Sequence, residues 1–128
     1  MTLKIDHISL LVSSIDESMP YYDKLLNLIG FKKIRNFVWT DSDEFLIQFN
    51  QAEEGTSHYE RYAAGMNHIG FSAPSPEFVI DIQKQMEEAG FLVPKTQHRD
   101  GAVALFMKDP DGIRFEITYY PPGMDVVD

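Results

Sequence analysis

The chain comes close to repeating itself, and this constrains its fold more than any other feature. His7-Ile8-Ser9 opens an apolar run through Val12, and His68-Ile69-Gly70-Phe71 opens a second. Each run leads into a stretch of helical periodicity that stops at a Gly-Phe pair, Gly30-Phe31 and then Gly90-Phe91. Gly30 follows His7 by 23 residues, and Gly90 follows His68 by 22. Two copies of one small unit, each presenting an imidazole from its first strand, point to a pseudo-symmetric metal or ligand site between them.

Residues 4–13 read as a strand. Ser14 and Asp16 supply an N-cap, Glu17 lies in the first turn, and Tyr22, Leu25, Leu26 and Ile29 form one apolar stripe that Gly30 closes as C-cap. Three short strands follow at about 31–35, 37–40 and 45–50, the last after the polar turn Asp41-Ser42-Asp43. The polar stretch 51–65 reads as a linker; His58 and Tyr59 within it are expected to be solvated rather than to form a lid or a dimer contact. The second half repeats the order. A strand at 67–73 is ended by Pro74 and Pro76, and a helix at about 77–89 aligns Phe78, Val79, Ile82 and Met86. Strands are then expected at 91–96, 102–108 and 113–120, with a tight turn at Asp109-Pro110-Asp111-Gly112 before the last. The tail from Pro121 is expected to be loose. Each half therefore reads βαβββ, and the class is α+β: one domain over 1–128, built of modules 1–60 and 64–122.

Composition bounds the partners. A formal net charge of −9 over 128 residues argues against nucleic acid and against anionic membranes, both of which attract basic surfaces. The apolar runs are far shorter than the roughly 20 residues a bilayer demands, and Met1-Thr2-Leu3-Lys4 lacks the long apolar core of a secretory signal. The absence of cysteine excludes disulfides and thiolate chemistry. A cytoplasmic setting is therefore expected.

Alternation on the last strand puts Arg114, Glu116 and Thr118 on one face and Phe115, Ile117 and Tyr119 on the other. Such a polar face is either exposed surface or the wall of a polar cavity. The matching strand of the first half groups Leu46, Gln48 and Asn50, which makes Gln48 the positional counterpart of Glu116 and His7 that of His68. Glu116 follows His68 by 48 residues and Gln48 follows His7 by 41, which implies shorter hairpins in the first half. Two imidazoles, one carboxylate and one amide oxygen make an N2O2 set suited to a divalent ion such as Zn, Ni, Co, Mn or Fe. A lone histidine opening a strand is more often a half-exposed residue than a ligand, and a glutamate on a terminal strand is usually solvated. The joint pattern, not any single member, carries the inference.

Three strings, Asp6-His7-Ile8, Asn67-His68-Ile69-Gly70-Phe71 and Asp109-Pro110-Asp111-Gly112-Ile113-Arg114-Phe115-Glu116-Ile117, resemble the vicinal oxygen chelate superfamily over about residues 4–120. That superfamily includes glyoxalase I, bleomycin- and fosfomycin-resistance proteins, methylmalonyl-CoA epimerase and the extradiol dioxygenases. The resemblance implies that the two βαβββ modules form an incomplete, cup-shaped mixed β-barrel around a metal or ligand site. It implies His7, His68 and Glu116 as ligands, Gln48 as a fourth, and a homodimer. The implied activity is that of a divalent-metal-dependent enzyme, lyase-, isomerase- or epimerase-like. It would act on a small molecule with adjacent oxygens, by proton abstraction and metal stabilisation of an enolate-type intermediate, with Glu116 as ligand and base.

Two alternatives stay open. Phe37 and Trp39, expected on one strand face, would line a pocket with Arg114 and Thr118. Such a cavity also suits a metal-free protein that sequesters an aromatic or amphiphilic molecule, as bleomycin-resistance proteins do. The second alternative is a ring-cleaving dioxygenase, although the strand before the Glu116 strand offers Phe106 where those enzymes usually carry a tyrosine.

Overall fold

The computed structural model describes residues 1–126, so the last two residues of the expected domain and tail lie outside the described ones. The chain divides into two compact units, Met1–His58 and a second from Tyr59 onward. Each unit is a four-stranded mixed sheet carrying one helix, which makes the fold α+β. Among the described residues, no helix is long and apolar enough to cross a membrane.

In the first unit, β1 (His7–Val12) is followed by α1 (Ile15–Leu28), β2 (Lys32–Arg35), β3 (Val38–Thr40) and β4 (Leu46–Gln51). The sheet order is β1-β4-β3-β2, with β1 and β4 parallel and the other pairs antiparallel. Ser14 caps α1 by accepting from Glu17 N at 3.2 Å, and Asp16 lies in the first helical turn rather than at the cap. Tyr22, Leu25 and Leu26 on α1 and Val12, Ile47 and Phe49 on the sheet form the buried core. The Tyr22 and Phe49 ring centroids lie 4.2 Å apart.

The second unit repeats this as β5 (His68–Ser72), α2 (Pro76–Glu88), β6 (Gln97–Arg99), β7 (Ala102–Lys108) and β8 (Arg114–Tyr119), in the order β5-β8-β7-β6. Ser75 caps α2 and Pro76 occupies its first turn, where a missing N–H costs nothing. Val79, Ile82 and Met86 are buried, as are Val103, Leu105, Met107, Phe115 and Ile117 on the sheet.

The repeated Gly-Phe pair has a structural cause. Phe31 N donates to Leu26 O at 2.9 Å and Phe91 N to Met86 O at 3.2 Å, the six-residue bond that ends a helix on a left-handed residue. Gly30 and Gly90 are those residues, both at φ 95°.

Three expectations are corrected. Residues 91–96 form no strand, and the strand lies instead at Gln97–Arg99. Pro94 offers no N–H to a ladder and Leu92 is 92% exposed, both of which disfavour a paired strand there. The hairpin loops of the two halves are equally long. Residues 36–37 match 100–101, and 41–45 match 109–113; the extra length of the second half sits in 91–96 and in the longer β7. Finally, Phe37 is not on β3 but in the two-residue β2–β3 loop at φ 67°, so it does not share a strand face with Trp39.

The two longer loops have the same design. Asp109 Oδ1 accepts from Asp111 N at 2.9 Å and Ile113 N at 2.8 Å; Asp41 Oδ1 accepts from Asp43 N at 2.8 Å and Phe45 N at 2.9 Å. Each loop then needs one residue with positive φ, which is Gly112 at 88° in the second unit and Glu44 at 67° in the first. A side chain there is strained by about 1 kcal/mol or more. Glu44→Gly is therefore expected to stabilise the protein by about 0.5–1 kcal/mol in urea denaturation, and Gly112→Ala to destabilise it by about 1–2 kcal/mol. A destabilising Glu44→Gly would show that the exposed glutamate makes a contact worth more than its backbone strain.

Candidate functional site

The parallel strand pairs place the candidate residues at matching positions. In the first unit His7 lies opposite Leu46, and Gln48 is two residues further along β4, opposite Ser9. In the second unit His68 lies opposite Arg114, and Glu116 is two residues further along β8, opposite Gly70. Gln48 is thus the structural counterpart of Glu116, as the alternation predicts.

Each histidine is tied through Nδ1 to the side chain just before it. His7 Nδ1 lies 2.5 Å from Asp6 Oδ2, and His68 Nδ1 lies 2.7 Å from Asn67 Oδ1. The second tie fixes a tautomer. Asn67 Nδ2 donates to Arg61 O at 3.0 Å, which turns Oδ1, an acceptor, toward the imidazole. His68 Nδ1 must then carry a hydrogen, and in the neutral ring Nε2 carries the lone pair. Tyr59 braces this loop, its hydroxyl donating to Met66 O at 2.7 Å and Asn67 O at 3.1 Å. Tyr59 is accordingly half-buried and structural, contrary to the expectation of a solvated connector.

His68 Nε2 faces Glu116 Oε1 at 3.5 Å. This is longer than a good N–H···O bond of roughly 2.7–3.2 Å. Two ligands each about 2.1 Å from a shared ion, at a near-tetrahedral angle, stand about 3.4 Å apart. A nitrogen facing a carboxylate oxygen at that spacing needs positive charge between them, whether a proton on Nε2 or a cation, so the spacing is one that a divalent cation could fill. Among the described residues, no three His, Cys, Asp or Glu side chains gather into one metal-holding group. The pair brought together is His68 with Glu116; His7 and Gln48 belong to the first unit.

Glu116 is only 6% exposed, so its carboxylate needs internal partners. Thr118 Oγ1 donates to Oε2 at 2.7 Å and Tyr120 Oη at 2.9 Å. Sequence reading missed Tyr120, although extending the 114, 116, 118 alternation by one step reaches it. The open polar face of β8 is therefore not solvent-exposed surface. Glu116, Thr118 and Tyr120, with Ala102, Ala104 and Phe106 of β7, wall a cleft of about 450 Å³ in the second unit. The two alanines make the hollow, and Gln97 and Arg99 stand at the β6 side. Arg114, expected in the pocket, is not among the described residues lining it, because it lies at the opposite end of β8 from Tyr120. Trp39 is buried in the first unit, beside the Lys33 ammonium at 5.9 Å from its ring centroid.

Residues 4–117 match the model of the Glyoxalase/Bleomycin resistance protein/Dioxygenase superfamily. The chain is 31% identical to Glyoxylase I 4 of Arabidopsis thaliana, over 88% of this chain and 68% of that protein. It is 29% identical to the uncharacterized protein YqjT of Bacillus subtilis, over 88% of this chain and 95% of that one. Among solved structures, a glyoxalase-like protein of Bacillus halodurans shares the fold with a TM-score of 0.80 at 24% identity, covering 91% of this chain and 95% of the other.

Proposed function

The chain belongs to the Glyoxalase/Bleomycin resistance protein/Dioxygenase superfamily, and from that membership and the His68–Glu116 pair we propose that it is a divalent-metal-dependent enzyme acting on a small molecule with adjacent oxygens. His68 and Glu116 supply two ligands, and His7 and Gln48 the others, from the same chain or from a second copy in a homodimer. A bound divalent cation supplies Lewis acidity where negative charge develops, a contribution of several kcal/mol. The observation that carries this reading is the fixed His68 tautomer, with Nε2 aimed at Glu116 Oε1.

The residues around the pair have separable duties in this reading. Asn67 holds the imidazole in the tautomer that can donate, and Tyr59 holds the loop that carries Asn67. Ala102, Ala104 and Phe106 offer an apolar wall for the body of the substrate, and Gln97 and Arg99 offer hydrogen bonds at its polar end. Thr118 lines this cleft, and Phe37, Trp39 and Arg114 are proposed as further substrate-pocket residues outside it.

Protein purified without a histidine tag is expected to carry about one divalent ion per chain, lost in His7→Ala and in His68→Ala. Full metal content in both variants would remove the assigned site. Turnover of one substrate among hemithioacetals, epoxides, catechols and acyl-CoAs should vanish with chelator. Chelator-resistant binding of an aromatic ligand without any turnover would favour the sequestering alternative. Asn67→Ala is expected to weaken metal binding by about 10–100-fold while leaving the chain folded, since outer partners of a ligating histidine typically matter by that factor. Calorimetric titration with Zn²⁺ checks it, and unchanged affinity would mean that the imidazole is oriented by packing alone. Mixing His7→Ala with Glu116→Ala chains tests which copy supplies the first unit's ligands: recovery of part of the sites means that they are shared between copies.

A further inference from the structure

The two carboxylate oxygens of Glu116 have different surroundings. Oε2 accepts from Thr118 Oγ1 at 2.7 Å and from Tyr120 Oη at 2.9 Å, whereas Oε1 faces His68 Nε2 at 3.5 Å. A carboxylate oxygen has two lone-pair directions, and both directions at Oε2 are taken by hydroxyl donors. We propose that Thr118 and Tyr120 are positioning residues that hold Glu116 as a ligand through Oε1 alone and bar it from coordinating through both oxygens. The inference rests on the metal reading above.

The arrangement follows from strand geometry. Positions 116, 118 and 120 point the same way along β8 and its continuation, so one strand carries both the ligand and its two clamps. Thr118 and Glu116 are buried, which shields the bond between them from competing water, and Tyr120 is half-buried at the cleft wall. Charge-assisted bonds of this kind are about twice as strong as neutral ones, enough to fix a carboxylate that would otherwise rotate about its last torsion. They also draw electron density from the carboxylate, so an ion held there would remain more electrophilic. A one-oxygen ligand leaves one more coordination position for the paired oxygens of a substrate, and this gives the clamp its functional consequence.

The experiment compares wild type, Thr118→Val, Tyr120→Phe, their double variant and Thr118→Ser. Zinc affinity is read by calorimetry and carboxylate coordination by X-ray absorption on the zinc-loaded protein. The double variant is expected to bind zinc about 10–100-fold more weakly. Its spectrum should gain the metal–carbon contribution of a carboxylate bound through both oxygens. Thr118→Ser, which keeps the hydroxyl, should match wild type in both readouts. Should the double variant fail to fold, the single variants carry the test, each with one donor left and an intermediate loss. Wild-type affinity together with an unchanged spectrum in the clamp-less proteins overturns the inference while leaving the metal site standing. Failure of the wild type itself to bind zinc overturns the metal reading, and the clamp with it.

Discussion

Glu116→Ala is expected to abolish metal binding and to destabilise the second unit, whereas Glu116→Gln is expected to abolish binding alone. Loss of the Glu116 carboxylate removes both the ligand oxygen and the negative charge that would draw a cation. Removing an outer partner of a metal ligand costs about 10–100-fold in affinity, and removing the ligand should cost more. The stability effects differ because of what remains. In the alanine variant the buried Thr118 hydroxyl loses its acceptor, and a buried donor left unpaired costs about 1–3 kcal/mol. In the glutamine variant the amide oxygen takes the place of Oε2 and keeps both bonds, while the amide N–H can donate to His68 Nε2. Metal content after dialysis and urea denaturation without metal separate the two effects. Equal stability of the two variants would mean that the hydroxyls find other acceptors, and retained metal in either would remove Glu116 from the site.

Phe49→Ala is expected to reduce the stability of the first unit by about 3–5 kcal/mol, the usual cost of emptying a large aromatic site in a packed core. Phe49 is 2% exposed, and its ring packs against Tyr22 of α1 with centroids 4.2 Å apart, so the deletion removes a contact between helix and sheet. The sole tryptophan, Trp39, is buried on β3 of this same unit, so its fluorescence reports the first unit specifically. A shift of the fluorescence transition to lower urea is the expected result. A loss below about 1 kcal/mol would mean that Tyr22 and its neighbours collapse into the vacated space.

How much of this was legible in the sequence depended on whether a residue's role is local. The helix ends were readable because Ser14, Ser75 and the Gly-Phe pairs satisfy the backbone groups of their own turn. The Asp109-Pro110-Asp111-Gly112 turn was readable for the same reason. Its counterpart at Asp41 was only half-read, because Glu44 stands in the left-handed position where glycine would have announced it. The equivalence of Gln48 and Glu116 came from alternation, and the register of the parallel strands agrees with it. The second strand of the second half was misjudged because 91–96 holds enough apolar residues to look like a strand, while Pro94 and the lack of a partner edge keep it from becoming one. The Tyr59–Asn67–His68 chain was invisible because it depends on where a loop carbonyl and an amide meet in space. Tyr120 escaped because the polar alternation was followed only to Thr118, one step short of the expected strand's end.

The strand order also bears on synthesis at the ribosome. Within its sheet, among the described residues, β1 pairs with β4, although the helix and two hairpin strands separate them along the chain. A nascent polypeptide that has not yet emerged as far as Leu46 therefore holds its first strand with no edge to dock on, and β5 waits likewise for Arg114. Each half must be extruded almost whole before its sheet can close. A premature stop just short of β4 or β8 would thus strand two segments rather than one, leaving apolar edges available to chaperones or to aggregation.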